Sequence, residues 1–409
     1  MSNHVVIIGA GQAAVQLIDT LRRKGHGDAI TLIGDEAHLP YQRPPLSKKY
    51  LAGAMERDRL LIRHAAYFAE HGVTTRLARR VIEIEPREQR LKLDDGQSVR
   101  YDSLVLATGS RARELNTPGV QLAGIHSLRN IADVEQLRAR ALPGARLLVI
   151  GGGYIGLETA ATCRQLGLTV TVLELADRVM NRVVCEPVSR FFEAEHARHG
   201  VRILTGAKLE AFIGDTSGNV RAARCADGSE HAADFVVVGV GVLAEDRLAA
   251  ACGLDCANGI VVDENCRSSD PRIWAIGDCC NQLSVHYNRR VRLESVDNAF
   301  EQGTTAALAI LGTPVAHDKV PWFWSDQYDI KLIVVGLSQD HDQVVLRGDP
   351  ATRAFSACYL RSGELIAIDT INNARDQMAA RKLIAAHARP NLAQLANAEA
   401  ALRDCASLS

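Results

Sequence analysis

Residues Arg146–Glu158 read RLLVIGGGYIGLE, and this stretch decides the fold of the chain. An apolar run typical of a buried strand leads into glycines with the spacing G-x-G-x-x-G, and helix-forming residues follow. Gly151 permits a tight turn, Gly153 lets the backbone approach a pyrophosphate at a helix N-terminus, and Gly156 keeps the helix close to the sheet. The next strand ends at Glu174, in the place of the ribose-binding carboxylate. The stretch therefore predicts a Rossmann-type dinucleotide-binding unit.

The acidic residue at the end of the second strand predicts which nicotinamide dinucleotide binds. A free carboxylate at Glu174 accepts hydrogen bonds from a ribose 2′-hydroxyl and repels a 2′-phosphate, which favours NAD(H) over NADP(H). Arg178 follows four residues later and weakens this preference. Tyr154, Ile155 and Glu158 lie in or just after the glycine turn, and we predict that they also contact NAD. The alternative interpretation is a glycine turn with a purely structural role.

A second strand–turn–helix unit stands about 140 residues earlier, at Val5–Leu21. Here Gly9 permits the turn, Gly11 lets the backbone approach a pyrophosphate, and Ala14 keeps the helix close to the sheet. The following strand ends just before Asp35, which we predict to bind a ribose hydroxyl. Two such motifs in one chain predict two bound dinucleotides.

The order of these patterns predicts an α/β fold with two Rossmann-like dinucleotide-binding domains and a C-terminal α+β domain. Short β-branched runs alternate with Ala-rich helical stretches, which is typical of parallel α/β layers. From about Pro321 the chain becomes rich in Trp, Tyr, Val and Ile, and helical periodicity begins near Asp376. We predict one domain over 1–112 and 242–320, a second inserted over 113–241, and a third over 321–409.

Composition excludes several classes of protein. Lys plus Arg (47) nearly balances Asp plus Glu (48), which points to neither nucleic acid nor a membrane surface. The ten cysteines form no C-x-x-C pair and no zinc-type cluster, so no metal site is expected and the thiols are interpreted as buried small hydrophobes. The first core strand begins directly after His4, which leaves no room for a signal peptide. We therefore expect a cytoplasmic protein.

Two further motifs indicate which dinucleotides bind. The segment Tyr101–Ser110 reads YDSLVLATGS, and Ser269–Asp278 reads SDPRIWAIGD. They resemble the ATG and GD motifs of the two-dinucleotide flavoproteins related to glutathione reductase. This resemblance implies FAD at the first glycine turn and NADH at the inserted one, with Asp278 near the ribityl–phosphate part of FAD. Read alone, Asp278 is a strand-end carboxylate that caps a helix.

Within that superfamily the chain resembles the NADH:ferredoxin reductase family, in its putidaredoxin reductase-like branch. The motifs that carry the resemblance are YQRPPLSK at Tyr41–Lys48 and VPWFWSDQY at Val320–Tyr328. The resemblance implies hydride transfer from NADH to FAD, followed by single-electron transfer to a [2Fe–2S] ferredoxin. That ferredoxin would serve a cytochrome P450 or a Rieske-type ring-hydroxylating oxygenase.

The resemblance also implies the site residues. Lys48 takes the place of a lysine beside flavin N5, with Glu158 as its ion-pair partner, and Tyr154 resembles an aromatic lid over the flavin. The FAD contacts implied are Gly9, Gly11, Ala14, Asp35, Arg43, Lys48, Val81, Ala107, Thr108, Gly109, Arg129, Gly277, Asp278, Val296 and Trp324. Taken singly, Lys48 reads as a solvated loop residue and Trp324 as a core residue. The disulfide-reductase relatives carry cysteines near the flavin, whereas positions 34–62 here contain none.

Two alternatives stay open at the level of sequence. The same scaffold could reduce another acceptor, such as rubredoxin, monodehydroascorbate or dioxygen. The chain could also be a redox-sensing interaction protein resembling apoptosis-inducing factor. That second class is expected to carry a targeting segment, long insertions and a basic surface, and none is visible in the sequence.

Overall fold

The structure is a computed structural model that describes residues 3–406. The chain divides into two compact units, each assembled from separate segments. Unit 1 comprises the chain up to Gln42, Arg57–Arg111 and Val242–Lys319; unit 2 comprises Arg43–Glu56, Ala112–Gly241 and the chain from Val320 onwards. The predicted fold class is confirmed, because two parallel α/β sheets and a C-terminal antiparallel sheet are present. In the described part of the chain, no helix is long and apolar enough to cross a membrane.

The strands follow the chain in four groups. The first group is β1 (Val5–Ile8), β2 (Ile30–Ile33), β3 (Val73–Arg76), β4 (Val81–Glu85), β5 (Arg90–Leu93), β6 (Ser98–Arg100), β7 (Ser103–Leu106) and β8 (Ser110–Ala112). The second is β9 (Ile125–His126), β10 (Arg146–Ile150), β11 (Thr169–Leu173), β12 (Arg202–Leu204), β13 (Leu209–Gly214), β14 (Val220–Cys225), β15 (Glu230–Ala232) and β16 (Phe235–Val238). The third is β17 (Val242–Ala244), β18 (Ile260–Val262), β19 (Ile273–Ala275), β20 (Cys280–Ser284) and β21 (Arg289–Val291). The last is β22 (Trp322–Gln327), β23 (Ile330–Gly336), β24 (Gln343–Arg347), β25 (Phe355–Arg361) and β26 (Glu364–Ile371).

The helices connect and cover these strands. They are α1 (Gln12–Arg23), α2 (Ala65–Glu70), α3 (Ile131–Arg140), α4 (Tyr154–Gln165), α5 (Glu186–Arg198), α6 (Arg247–Ala251), α7 (Val296–Ile310), α8 (Ala374–Ala385) and α9 (Leu392–Ala396). One short 3₁₀ turn, Pro44–Ser47, is also important for the site.

The main sheet of unit 1 has the strand order β19-β7-β1-β2-β3, and all its pairings are parallel. Every side chain of β1 is buried, as expected for a strand covered on both faces. Helices α1 and α7 pack closely together. A Cβ at Gly303 would lie only 2.7 Å from the carbonyl oxygen of Ala13, so the helix crossing requires a glycine there.

Unit 2 also contains a parallel five-stranded sheet, which has the order β12-β11-β10-β16-β9. The C-terminal segment adds an antiparallel sheet of order β22-β23-β26-β25-β24. Apolar residues of α4, α5, β23 and β25 form one core cluster, which includes Leu157, Phe192, Leu332 and Phe355. The nucleotide-binding segment and the C-terminal segment of unit 2 therefore share a core.

The predicted elements agree with the observed ones to within a few residues. The apolar run at the start of Arg146–Glu158 is β10, the next strand, predicted to end at Glu174, ends at Leu173, and the helix predicted to begin near Asp376 begins at Ala374. The two compact units group the chain differently from the three predicted domains. Unit 2 holds the inserted segment, the C-terminal segment and also Arg43–Glu56, so the three-domain boundaries stay a prediction.

Candidate functional site

The glycine turn of unit 1 leaves an open helix N-terminus. Gly9 has φ +106°, and a Cβ there would lie 2.2 Å from the carbonyl oxygen of Ala107, so only glycine fits. Gly11 precedes α1, and a Cβ at this position would meet no protein atom within 4 Å. No side chain caps the first turn of α1. Its unsatisfied N–H groups and the free space over Gly11 fit the pyrophosphate of a dinucleotide such as FAD.

The other predicted residues before the inserted segment have different environments. Ala14 is fully buried between α1 and the sheet, which is its expected packing role. Asp35 is exposed, and its carboxylate lies 3.7 Å from the guanidinium of Arg80. The side chain of Val81 is buried in a core cluster with Ile33. Asp35 is thus available at the surface of unit 1, whereas Ala14 and Val81 offer little side-chain surface.

The motif around Thr108 joins the end of β7 to a later part of unit 1. Ala107 donates its N–H to the carbonyl of Ile8 at 2.7 Å, which places it beside the glycine turn. The Thr108 hydroxyl donates to the carbonyl of Glu245 at 2.6 Å, and Gly109 has φ +71°. The predicted ATG motif therefore lies at the same end of the sheet as the Gly9 turn.

The GD motif is held from two sides. The Ser110 hydroxyl donates to the Asp278 carboxylate at 2.8 Å, and the Gly277 N–H donates to the side-chain oxygen of Gln302 at 2.7 Å. Asp278 is half-buried, and Val296 is the first residue of α7. A carboxylate at this place can accept hydrogen bonds from the hydroxyls of a ribityl chain. Gln302 carries no motif of its own, and sequence reasoning missed it.

The glycine turn of unit 2 has the same geometry. Gly151 has φ +103°, and a Cβ there would lie 2.6 Å from the carbonyl oxygen of Gly239. A Cβ at Gly156 would lie 2.1 Å from the carbonyl oxygen of Gly151, whereas one at Gly153 would meet nothing within 4 Å. No side chain caps α4, which begins after Gly153. This turn also fits a pyrophosphate, which makes two open dinucleotide turns in one chain.

The Glu174 carboxylate lies directly against the second glycine turn. One oxygen accepts from the Gly152 N–H at 2.6 Å, and the other accepts from the Ala176 N–H at 2.8 Å. Arg178 points elsewhere, because its guanidinium donates to the carbonyls of Val184 (2.9 Å) and Asn181 (3.0 Å). The structure therefore places the Glu174 carboxylate at the turn, while the Arg178 guanidinium is held by the carbonyls of Val184 and Asn181.

Lys48 and Glu158 are brought together in unit 2. The Lys48 Nζ lies 2.5 Å from the Glu158 Oε2, and the glutamate side chain is only 2% exposed. The Ser47 hydroxyl donates to the same oxygen at 2.6 Å, and the Ser325 hydroxyl donates to Oε1 at 2.7 Å. Thr162 on α4 donates to the Ser47 carbonyl at 2.8 Å and so anchors the PPLSK segment. Both glutamate oxygens are therefore occupied by buried donors.

Sequence reasoning missed Ser47 and Ser325 as partners of Glu158. Ser47 stands in the PPLSK motif and Ser325 in the WFWSDQ motif, so both lay in quoted segments. A single serine carries no spacing signal, however, and neither hydroxyl could be assigned a partner from the sequence.

The remaining predicted residues of unit 2 make contacts of other kinds. Tyr154 begins α4 and packs against Phe323, with ring centroids 4.7 Å apart. Trp324 lies on β22 and stacks with Trp322 at 5.5 Å. Arg43 and Arg129 meet, because the Arg43 guanidinium donates to the Arg129 carbonyl at 2.8 Å, and Ile155 is 44% exposed. Contacts of these residues with a cofactor stay a prediction.

The cysteines do not form a reactive site. Eight of the ten are buried, and Cys252 and Cys256 are half-buried, which departs slightly from the expectation of full burial. Burial raises the pKa of Cys163 to about 12 and of Cys256 to about 11. These thiols stay protonated at neutral pH and are poor nucleophiles.

Two family models match this chain. The pyridine nucleotide-disulphide oxidoreductase model matches residues 3–303, and the reductase C-terminal model matches residues 322–406. Together they span both dinucleotide turns and the C-terminal antiparallel sheet.

Individual relatives match over nearly the whole chain. The ferredoxin–NAD(+) reductase component of the anthranilate 1,2-dioxygenase system of Burkholderia cepacia is 41% identical, over 97% of this chain and 98% of the relative. The crystal structure of the ferredoxin reductase for the CYP199A2 system from Rhodopseudomonas palustris has a TM-score of 0.96 and 40% identity, over 99% and 100% of the two chains. The reductase in the covalent putidaredoxin reductase–putidaredoxin complex has a TM-score of 0.95 and 39% identity, over 98% of each chain.

Proposed function

Since this chain belongs to the pyridine nucleotide-disulphide oxidoreductase family, we propose that it is an FAD-dependent NADH:ferredoxin reductase. It transfers electrons from NADH through FAD to a [2Fe–2S] ferredoxin that serves an oxygenase, either a cytochrome P450 or a ring-hydroxylating enzyme. The observation that carries this proposal is the presence of two open dinucleotide turns, at Gly11 and Gly153, in a chain with no cysteine among residues 34–62. FAD supplies the chemistry that converts a hydride donor into a source of single electrons.

The residues of unit 1 are suited to hold FAD. The α1 N-terminus offers uncapped N–H groups to the pyrophosphate, and Gly11 leaves room for it. Asp278, oriented by Ser110, accepts hydrogen bonds from ribityl hydroxyls. Asp35 stands at the surface for the ribose. Each group acts by binding and orientation, and none undergoes a covalent change.

The Lys48–Glu158 pair acts through its charge. By resemblance the Lys48 ammonium lies beside the flavin, where a positive charge favours the electron-rich reduced form. Glu158 is almost fully buried, and the hydroxyls of Ser47 and Ser325 hold its side chain in contact with Lys48. The contact with Glu158 thus holds the positive charge of the Lys48 ammonium at one place, and no proton transfer is needed.

NADH, rather than NADPH, is the proposed electron donor. Glu174 places a negative charge at the second glycine turn, and that charge repels a 2′-phosphate. Arg178, four residues after Glu174, is held by two backbone carbonyls. We place the reaction in the cytoplasm, where reduced thiols such as these ten free cysteines persist.

The proposal is tested by spectroscopy and turnover of the purified protein. It should carry an oxidised flavin spectrum that NADH bleaches much faster than NADPH. Cytochrome c reduction with NADH should rise when a [2Fe–2S] ferredoxin from the same genome is added. A protein without flavin would overturn the assignment of FAD. A flavoprotein whose turnover rises with rubredoxin or dioxygen, and with no [2Fe–2S] ferredoxin, would keep the scaffold but reassign the acceptor.

A further inference from the structure

The Glu158 carboxylate is the end of a buried chain of hydrogen bonds within unit 2. Ser325 donates to Glu158 Oε1 at 2.7 Å, and the Gln327 amide nitrogen donates to Ser325 at 3.3 Å. His196 Nε2 lies 2.8 Å from the Gln327 amide oxygen, and the Tyr328 hydroxyl lies 3.1 Å from His196 Nδ1. Ser325, Gln327 and His196 are each no more than 1% exposed. The middle of the chain is therefore shielded from solvent, and only Tyr328 at its far end is partly exposed.

The chemistry of the donors and acceptors gives each hydrogen bond in this chain a direction. A carboxylate only accepts, so Ser325 donates to Glu158, and its oxygen accepts from the amide NH₂ of Gln327. The Gln327 carbonyl oxygen then faces His196, whose Nε2 must carry the proton. Burial lowers the pKa of His196 to about 4, so the ring is neutral and its Nδ1 accepts from Tyr328.

All donors of the chain consequently point toward Glu158. A chain of hydrogen bonds with one direction polarises each member, and the accepting end gains the most. Glu158 needs such support, because a buried carboxylate with only one partner is costly. The C-terminal sheet supplies it through Ser325 and Gln327 on β22, while Ser47 supplies the other side.

We propose that Ser325 and Gln327 are positioning residues that hold the Glu158 carboxylate aligned, and so fix the Lys48 ammonium in place for hydride transfer. They act through Glu158 and touch no substrate. This inference rests on the proposed function and deepens it. It also assigns a role in the reaction to the C-terminal sheet.

The test compares Ser325→Ala with the matched control Ser356→Ala. Ser356 is also fully buried in the C-terminal sheet, and its hydroxyl donates at 3.0 Å to Asp376, a carboxylate paired with Arg347. Loss of a hydrogen bond to a charged group should slow FAD reduction at saturating NADH roughly tenfold in Ser325→Ala, with the NADH dissociation constant changed less than about twofold. Ser356→Ala should change neither quantity.

A second readout follows Lys48 itself in the protein as purified. Acetic anhydride labels lysine amines, and mass spectrometry gives the Lys48 to Lys49 labelling ratio, with exposed Lys49 as the internal reference. Ser325→Ala should raise this ratio several-fold, because a loosened glutamate holds the ammonium less firmly. Ser325→Thr retains a hydroxyl and should restore both readouts.

Gln327→Met covers the case in which Ser325→Ala does not fold. It removes both bonds of the amide at similar volume and should change both readouts in the same direction, by a smaller factor. If the Ser325 and Gln327 variants match Ser356→Ala in both readouts, the inference is wrong while the ferredoxin reductase assignment stands. If the native protein holds no flavin or is not reduced by NADH, the proposed function fails first, and the labelling ratio still tests the chain of hydrogen bonds.

Discussion

The buried carboxylate of Asp369 makes the stability of this protein depend on pH in a predictable way. Asp369 lies on β26 and is fully buried. The Tyr359 hydroxyl donates to its Oδ2, and no hydrogen-bond donor for Oδ1 occurs among residues 3–406. Burial raises the pKa of this carboxyl group from 3.8 to about 7. We predict that Asp369→Asn stabilises the protein, and that the gain grows with pH.

The sign and size of the pH-dependent change in the free energy of unfolding follow from the difference in the Asp369 pKa between the folded and unfolded states. Between pH 3.8 and about 7 the unfolded chain loses the Asp369 proton before the folded chain does. The stability contribution is therefore fully present below pH 3.8 and is lost as the pH rises to about 7. The full loss is about 4 kcal/mol, of which about 2 kcal/mol falls between roughly pH 5.5 and pH 8. Asparagine does not titrate, so its advantage over aspartate should grow by that amount.

The assay is urea unfolding at both pH values in excess FAD, followed by tryptophan fluorescence. Comparing the two pH values cancels any constant cost of the new amide group. Asp329→Asn is the control: Arg353 lowers the pKa of exposed Asp329, so its carboxyl does not titrate in this range and its effect should not vary with pH. If the advantage of Asp369→Asn is the same at both pH values, the carboxyl is not desolvated as the structure indicates.

Three further predictions concern binding and folding. Gly11→Val should abolish FAD binding with little change in the stability of the apoprotein, because a Cβ at this position would meet no protein atom within 4 Å. Gly9→Ala should impair folding itself, because its Cβ would collide with backbone. Flavin content measures the first effect and circular dichroism the second. Glu174→Arg should raise the ratio of kcat/KM for NADPH to that for NADH by at least about tenfold, and an unchanged ratio would contradict the ribose assignment. Arg347→Met should lower stability by about 3–5 kcal/mol, because it leaves buried Asp376 without its cation; a Tm equal to that of the native protein would refute this.

The pattern of the glycine turns was readable from the sequence for a local reason. A strand, a glycine with positive φ and an uncapped helix are neighbours in the chain, so the amino-acid sequence itself contains their characteristic spacing. The structure adds the close contacts that require Gly9, Gly151 and Gly156. It also shows a difference between the two units, because Gly34 directly follows β2 whereas Glu174 directly follows β11. A Cβ at Gly34 would lie 2.8 Å from that of Ala10, so unit 1 keeps glycine there and its acidic residue comes one position later.

The surroundings of Glu158 were not readable from the sequence. Its partners Ser47 and Ser325 lie 111 and 167 residues away, one in a 3₁₀ turn and the other on β22. A buried hydroxyl has no periodicity to reveal it. The isolation of Asp369 Oδ1 is likewise a property of packing from several strands.

The sequence by itself therefore determined the two dinucleotide turns, the α/β class with its C-terminal addition, and the pairing of Lys48 with Glu158 through resemblance. Only the tertiary structure decided how that pair is supported, where Arg178 points and which carboxyl is buried without a second donor. The physical reason is range: backbone turns are specified by neighbours in the chain, while hydrogen-bond partners and desolvation are specified by residues that folding brings together.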